Sequence, residues 1–468
     1  YQIKADNIQK NEGPYQVPVN ARTRQTAGEV NMPLDQYNNL GSLVEPDRVH
    51  KACYADEQVF EKELENIFYK SWIYIGHESQ VPNAGDYWTT WVGKERMILC
   101  RGENGDVNVL YNRCPHRGAL ICNNLNGNAP KAFRCPYHAW QFNMDGSLRN
   151  VPMKQGYEGV IDLTDPQLQM KRAERQETYR GFVFASLSEE GPSLEEWLGQ
   201  GAKAAFDDIC NRSPEGECEV VVNCFRIIQH SNWKIFLENQ LDAVHPSITH
   251  HSTGDAAAEM QRIYSEKTGN EPPMGYQFLA DFTLPYEKWD SLDTIGHPYG
   301  HTLLAGYMGL RPRDPVTVAH EESLTAVHGE KRMDEILSTN VHHVLVYPCL
   351  SVQPPLQQLR AVRPLAANKT LTEIWHFRLK GAPEGIYDRS LAYYYHVNSP
   401  STMVNADDLN NFRACQDGLT LEGGGDWVSF HRNYGQDPVE NGITTSVTGM
   451  SEQPMRNMFA AWKEYMSA

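Results

Sequence analysis

The spacing of apolar positions changes repeatedly along the chain. Residues 1–45 are polar and poor in large aliphatics, which predicts an extended arm that could pack on a neighbouring subunit. At Ala55-Asp56-Glu57 a helical period begins. Phe60, Leu64, Ile67, Phe68 and Trp72 fall on one face, with acidic residues in the first turn, where the helix dipole favours them. From Trp72 to Leu187 the period shortens to that of strands. The runs WIYIGH, DYWTTWV, RMILCRG, VNVLYNRC, QFNMDGSLRNV and RGFVFASL are broken by Gly, Asn and Pro. Asp145-Gly146 is expected at the centre of a hairpin turn.

Beyond Gly191 the pattern becomes mixed. Ser193–Leu198 opens a helix, CEVVVNCFRIIQ alternates as a strand, and residues 232–245 carry Ile235, Phe236 and Leu241 at helical spacing, with Asp242 and His245 on the other face. HHVLVYPCLSVQ, QQLRAVRPLA and KTLTEIWHFRLKG predict one antiparallel sheet, followed by helices at YDRSLAYYYHVN and LNNFRACQDGL. Segment 252–340, rich in Gly and Pro, reads as irregular: a lid or a long surface insertion. The predicted class is α+β. An arm (1–45) and a helical segment of the larger domain (46–75) precede a small all-β domain (76–188), and a larger domain (189–468) has a central antiparallel sheet flanked by helices.

Composition narrows the function. With 42 Lys+Arg against 59 Asp+Glu, the net charge of −17 disfavours nucleic acid and anionic membranes as partners. The 10 Cys show no disulfide framework, and no apolar run approaches a membrane span or a signal peptide, so a cytoplasmic protein with reduced thiols is expected.

Two of those cysteines stand in motifs: Cys114-x-His116 and Cys135-x-x-His138. One zinc could take all four, but single-zinc sites usually pair C-x2-4-C with H-x3-5-H or with a second C-x-x-C. Here each arm offers one sulfur and one nitrogen. If each arm spans two irons, one iron takes Cys114 and Cys135 and the other His116 and His138, which is the Rieske [2Fe–2S] arrangement. Tyr137, Trp140 and Pro136 are expected to cover it, Trp140 serving equally well as plain core. Gly118 is expected to permit a tight turn near the sulfurs, while Arg117 either bonds across the domain or faces solvent.

A second constellation follows. Pro246 disfavours a helical His245 and should break the ladder, letting His245 and His250 converge. Two His and one carboxylate form the facial triad of non-haem Fe(II) oxygenases. Buried structural His pairs are common, but beside a store of electrons this pair reads as their destination. The carboxylate is sought in Asn405–Phe412, where Asp407 or Asp408 could instead cap a helix.

The motifs CPHRG, CPYHAW, NWKIFLENQLDAVHPSITH and ADDLNNF together resemble the large (α) subunit of Rieske non-haem iron aromatic-ring-hydroxylating oxygenases, from about Leu43 to the C-terminus. The resemblance implies Cys114, His116, Cys135 and His138 on the cluster and His245, His250 and an Asp on a mononuclear Fe(II). The motif register favours Asp408 over Asp407, and some relatives' longer spacing leaves His251 open as the second His. Asp242 matches the family's bridging carboxylate, which links an iron-bound His to the second cluster His of the adjacent subunit.

The family implies cis-dihydroxylation of a small aromatic compound by O2, with monooxygenation or N- or O-dealkylation as the alternative. NADH acts indirectly, through a reductase with or without a ferredoxin, since no Rossmann G-x-G-x-x-G follows a strand. It also implies a homotrimer, or an α3β3 assembly with a small β subunit. GITTSVTGMSEQPMRNMFAAWKEYM is similar to subunits acting on aromatic acids, so a substituted aromatic acid or amine is expected; Arg311, Arg313, Arg360 or Arg363 could bind its carboxylate. A pure Rieske electron carrier would need only the β domain, and the constellation at Asp242, His245 and His250 argues against it.

Overall fold

The structure, a computed structural model, describes residues 39–221, 224–308 and 312–467. Most of the expected arm therefore lies outside the described residues. Asp56 caps the helix Glu57–Glu63, its carboxylate accepting from the N–H groups of Gln58 and Val59. The helix then widens into a π-turn over Leu64–Phe68, and Trp72 lies beyond it, buried, with its indole N–H on the Pro192 carbonyl at 3.0 Å. The expected apolar face is thus correct, but the helix ends before Trp72.

The β-rich region holds three small sheets. Val107–Tyr111, Glu95–Arg101, Asp86–Val92 and Asn126–Asn128 form one of four strands. In Asp86–Val92, Trp88, Thr90 and Val92 are buried and their neighbours are not, the alternation of a half-buried strand. Phe133–Arg134, Gln141–Phe142 and Leu148–Asn150 form the second sheet, turned at Asp145-Gly146 as expected, with Gly146 at φ +89. Ile73–His77 joins Phe182–Ser186 and Arg175–Tyr179 in the third.

The larger region is built on a 10-stranded antiparallel sheet. Its centre is the long hairpin Gln358–Ala366 with Lys369–Leu379, flanked by Leu350–Gln353 and Val341–Val346. The run CEVVVNCFRIIQ forms two strands, Cys218–Val220 and Phe225–Gln229, both paired with Lys369–Leu379. Segment 252–340 is not irregular. It contains the helices His251–Thr268, Met274–Ala280, Pro315–His328 and Glu330–Leu337, and two strands of the large sheet, Asp293–Gly296 and Thr302–Gly306. Its Gly and Pro punctuate these elements. Pro315 opens a helix, and Gly269 ends one at φ +69, where a side chain would be strained.

One continuous core joins the two regions. Arg363, on the central hairpin, donates to the carbonyls of Tyr74 (2.9 Å) and Trp91 (3.1 Å) in the β-rich region and pairs with Glu373 at 3.2 Å. Trp88 packs edge-on against Trp375, ring centres 5.4 Å apart. Nearby, buried Lys234 pairs with buried Glu63, which also accepts from the indoles of Trp233 (2.8 Å) and Trp462 (2.7 Å).

Candidate functional site: two metal centres

Cys114 and Cys135 open two loops of the same construction. In the first, the Cys114 carbonyl accepts from Gly118 N–H (2.9 Å) and the Cys114 N–H donates to Ala119 (2.8 Å). In the second, Cys135 makes the equivalent pair with Ala139 (3.0 Å) and Trp140 (2.8 Å). The fourth residue after each Cys is left-handed: Gly118 at φ +74 and Ala139 at φ +57. The two loops bring His116 and His138 to a ring separation of 4.6 Å.

Trp140 is only 2% exposed and stacks on His116 at 4.7 Å with 3° between planes, so it is both core and cover. Tyr137 is 61% exposed and lies against His138 at 3.7 Å. Arg117 faces solvent. Two buried sulfurs and two adjacent imidazoles, one with a buried ring nitrogen (His116 Nδ1) that has no hydrogen-bond partner among the described residues, fit a two-iron cluster with unlike ligands.

The second centre departs from expectation in its backbone. The helix Trp233–Gln240 ends at Leu241, and Asp242 and His245 lie in the connection after it rather than on its face. His245 is itself helical (φ −60, ψ −33), and Pro246 opens the single turn Pro246–Thr249. Pro suits that first position because the N–H it lacks would have no partner there. The breaks fall at Leu241 and at His250 (φ −102, ψ 11), and it is these that turn the two imidazoles toward each other, ring centres 5.6 Å apart. Asp407 and Asp408 are not caps. They sit inside the helix Met403–Leu419, which follows Thr402.

His245, His250 and Asp408 each offer a ligand atom within 4.8 Å of the others. Asp408 Oδ1 lies 3.2 Å from His250 Nε2 and 3.9 Å from His245 Nε2. Groups bound about 2.1 Å from one ion in neighbouring positions stand about 3 Å apart, so the set fits a metal. Among the described residues, the buried Nδ1 atoms of His245 and His250 make no hydrogen bond of good geometry, and each has only a carboxylate nearby. Asp407 faces the far nitrogen of His250, Nδ1, at 3.5 Å. His250 is 1% exposed; His251 is 61% exposed and turned outward to Asp255 at 3.2 Å.

Asp242 Oδ2 stands 3.4 Å from His245 Nδ1, and its Oδ1 accepts from Val244 N–H at 3.0 Å. Burial pushes the Asp242 carboxyl up, but His245, the Val244 N–H and Arg432 outweigh it and hold its pKa below the usual value. Two neighbours of the site stand outside the residues its motifs single out. Arg432 approaches Asp242 Oδ1 at 3.7 Å, and Asn239 reaches both His245 Nε2 (3.0 Å) and Asp408 Oδ1 (3.3 Å). Asn239 is visible as an amide three residues before Asp242; Arg432 has no sequence signal.

Of the four arginines considered for substrate, Arg311 lies outside the described residues and Arg313 is exposed. Arg363 is spent on Glu373, leaving Arg360 buried beside the second centre.

Both regions of the chain resemble known proteins. Residues 71–165 match the Rieske [2Fe-2S] domain, and residues 217–468 match the ring hydroxylating alpha subunit (catalytic domain). The chain is 30% identical to toluate 1,2-dioxygenase subunit alpha of Pseudomonas putida over 86% of its own length and 87% of the relative's. It is 31% identical to the anthranilate 1,2-dioxygenase large subunit of Acinetobacter baylyi, over 86% and 85%. A solved structure of naphthalene 1,2-dioxygenase with indole in its active site superposes with a TM-score of 0.76 at 24% identity, over 92% of this chain and 95% of that one, and so shares the fold. Among the described residues no helix is long and apolar enough to cross a membrane. The chain belongs to the α subunits of Rieske aromatic-ring-hydroxylating dioxygenases, enzymes that carry a Rieske [2Fe–2S] cluster and a mononuclear iron.

Proposed function

We propose that this subunit cis-dihydroxylates a substituted aromatic acid. The convergence of His245, His250 and Asp408, with Asp242 behind His245, carries the reading. The relatives named for toluate, 2-halobenzoate and anthranilate support the acid. In the overall reaction the arene, O2, NADH and a proton give the cis-dihydrodiol and NAD+. Both oxygens enter the ring, and the two electrons arrive from NADH through a reductase, directly or via a ferredoxin.

In this reading Cys114 and Cys135 would hold one cluster iron and His116 and His138 the other, while His245, His250 and Asp408 would hold a mononuclear iron that supplies the O2 chemistry. Asp407 orients His250 from its far nitrogen, and the Asn239 amide, 3.3 Å from Asp408 Oδ1, orients that carboxylate. Asp242 orients His245 and receives His138 of the neighbouring subunit, in a homotrimer or an α3β3 assembly with a small β subunit. We place the all-β domain at 76–188 and the catalytic domain at 46–75 with 189–468; the strand Arg48–His50, which pairs with Trp427–Ser429, supports the assignment of the first part of 46–75, while the strand Ile73–His77 crosses the boundary to pair with Phe182–Ser186. The eight cysteines outside the cluster motifs, none of them in a disulfide, support a cytoplasmic setting.

The test is oxygen uptake and product analysis by the purified enzyme with a matched reductase, over aromatic acids, amines and neutral arenes. One O2 and one NADH should be consumed per cis-diol formed from a benzoate, by protein holding about three iron and two sulfide per chain. A phenol without diol, or a dealkylated product, would sink the dioxygenase reading.

A further inference from the structure

Five cationic side chains are buried among the described residues: Lys51, Arg212, Lys234, Arg360 and Arg363. Four have their own carboxylate: Asp426 at 3.0 Å from Lys51, Asp208 at 2.8 Å from Arg212, Glu373 at 3.2 Å from Arg363, and Glu63 on Lys234. Arg360, 7% exposed, has none among the described residues. Its guanidinium is held by three neutral amides. Nε donates to Gln358 Oε1 at 2.7 Å, Nη2 to Gln353 Oε1 at 3.0 Å, and Nη1 to Gln240 Oε1.

A guanidinium has five N–H donors. Three are used, and one on each terminal nitrogen is left, the two atoms that can grip a carboxylate together. Burying a cation without a counter-ion is costly, and that cost falls when an anion arrives. Burial already pushes the Arg360 guanidinium down to about 10. The surrounding histidines supply no negative charge. His343 is pushed down to about 4 and His376 to about 3, by burial first and the Arg360 charge second.

The position is equally specific. Gln240, which holds Nη1, also donates to Asn239 at 3.1 Å, and Asn239 contacts His245 and Asp408. Two amides therefore separate the unpaired cation from the mononuclear centre, and Asp408 is near enough to act on its charge. We propose that Arg360 is the specificity residue of this enzyme, binding the carboxylate of an aromatic acid and so orienting its ring at the mononuclear centre. The assignment rests on the reading of that centre as an arene oxygenation site.

Binding of benzoate and of its neutral isostere benzamide to the intact holoenzyme, measured by calorimetry without reductase, tests it. Benzoate should bind on the order of 10–100-fold more tightly, the worth of hydrogen bonds to a charged group. Arg360→Gln should erase that preference by weakening benzoate alone, with the cluster's visible spectrum unchanged. Arg360→Lys, which keeps the charge and loses the fork, should fall between. Equal wild-type affinities, or an Arg360→Gln protein that weakens both ligands alike, would overturn the assignment. If Arg360→Gln does not fold, the wild-type comparison and Arg360→Lys decide. Selective benzoate binding with no diol from any arene would overturn the reaction and leave the anchor standing; diols from neutral arenes with no benzoate binding would overturn the anchor alone.

Discussion

Cys114, His116, Cys135 and His138 stand on two neighbouring loops of one construction, each closed by the same pair of backbone hydrogen bonds. His245 and His250 flank a single helical turn, and Asp408 reaches them from a helix that follows eight of the ten strands of the central sheet. The first centre is made by local turns that need little beyond their own residues. The second is made by tertiary packing, and exists only when the sheet and its helices are in place. Metal loss at the two sites should therefore be separable, and the coupling between them should depend on residues that bind neither metal.

The strongest way to break this contrast is Asp408→Ala. Oxygenation should drop to background and mononuclear iron be lost, while the cluster keeps its electron paramagnetic resonance signal and sulfide content. Loss of both centres together would show that they do not assemble independently. Next in size is Asp242→Asn, which keeps the shape and removes the charge. Both metals should remain, and turnover should fall about 100-fold, the upper range for a group supporting a metal ligand. Near-normal turnover would remove Asp242 from the electron path.

The smallest effect compares the two loops with each other. Gly118→Ala meets no close contact, the nearest atom being Arg113 Nε at 3.5 Å, so its cost is backbone strain of about 1 kcal/mol, read as a lower thermal midpoint. Ala139 already bears that strain. Ala139→Gly should relieve it but lose about as much in chain entropy, leaving the midpoint nearly unmoved. A large drop for Ala139→Gly would mean that the loops are not equivalent.

The same contrast explains what could be read from the sequence. The proposed cluster site was legible because its four side chains are fixed by spacing within two loops, and the alternation of Asp86–Val92 or the Asp145-Gly146 turn needs only neighbouring residues. The sheet built on Gln358–Leu379 was legible for that reason too. At the second centre the residue types are visible in the sequence but the course of the backbone is not. Pro246 suggested a break at His245, whereas the chain breaks at Leu241 and uses the proline to begin a new turn. The choice between His250 and His251 turns on which one the packing buries. Segment 252–340 looked irregular because its Gly and Pro are conspicuous in a sequence, yet they mark the ends of helices. Arg360 and Arg363 are equal as letters. They point to opposite faces of one strand, and only the fold assigns a carboxylate to one and withholds it from the other.

The reach of Arg363 from the central hairpin to the carbonyls of Tyr74 and Trp91 bears on how modular this enzyme is. Those bonds, the Trp88–Trp375 contact and the shared core make one wall common to the electron-carrying and oxygenating halves. Cutting the chain at the boundary would expose apolar surface and leave a buried guanidinium–carboxylate pair without its backbone acceptors. The electron-carrying half is thus not an interchangeable cartridge, and grafting it onto another oxygenase would require rebuilding the face on which Trp375 and Arg363 now sit.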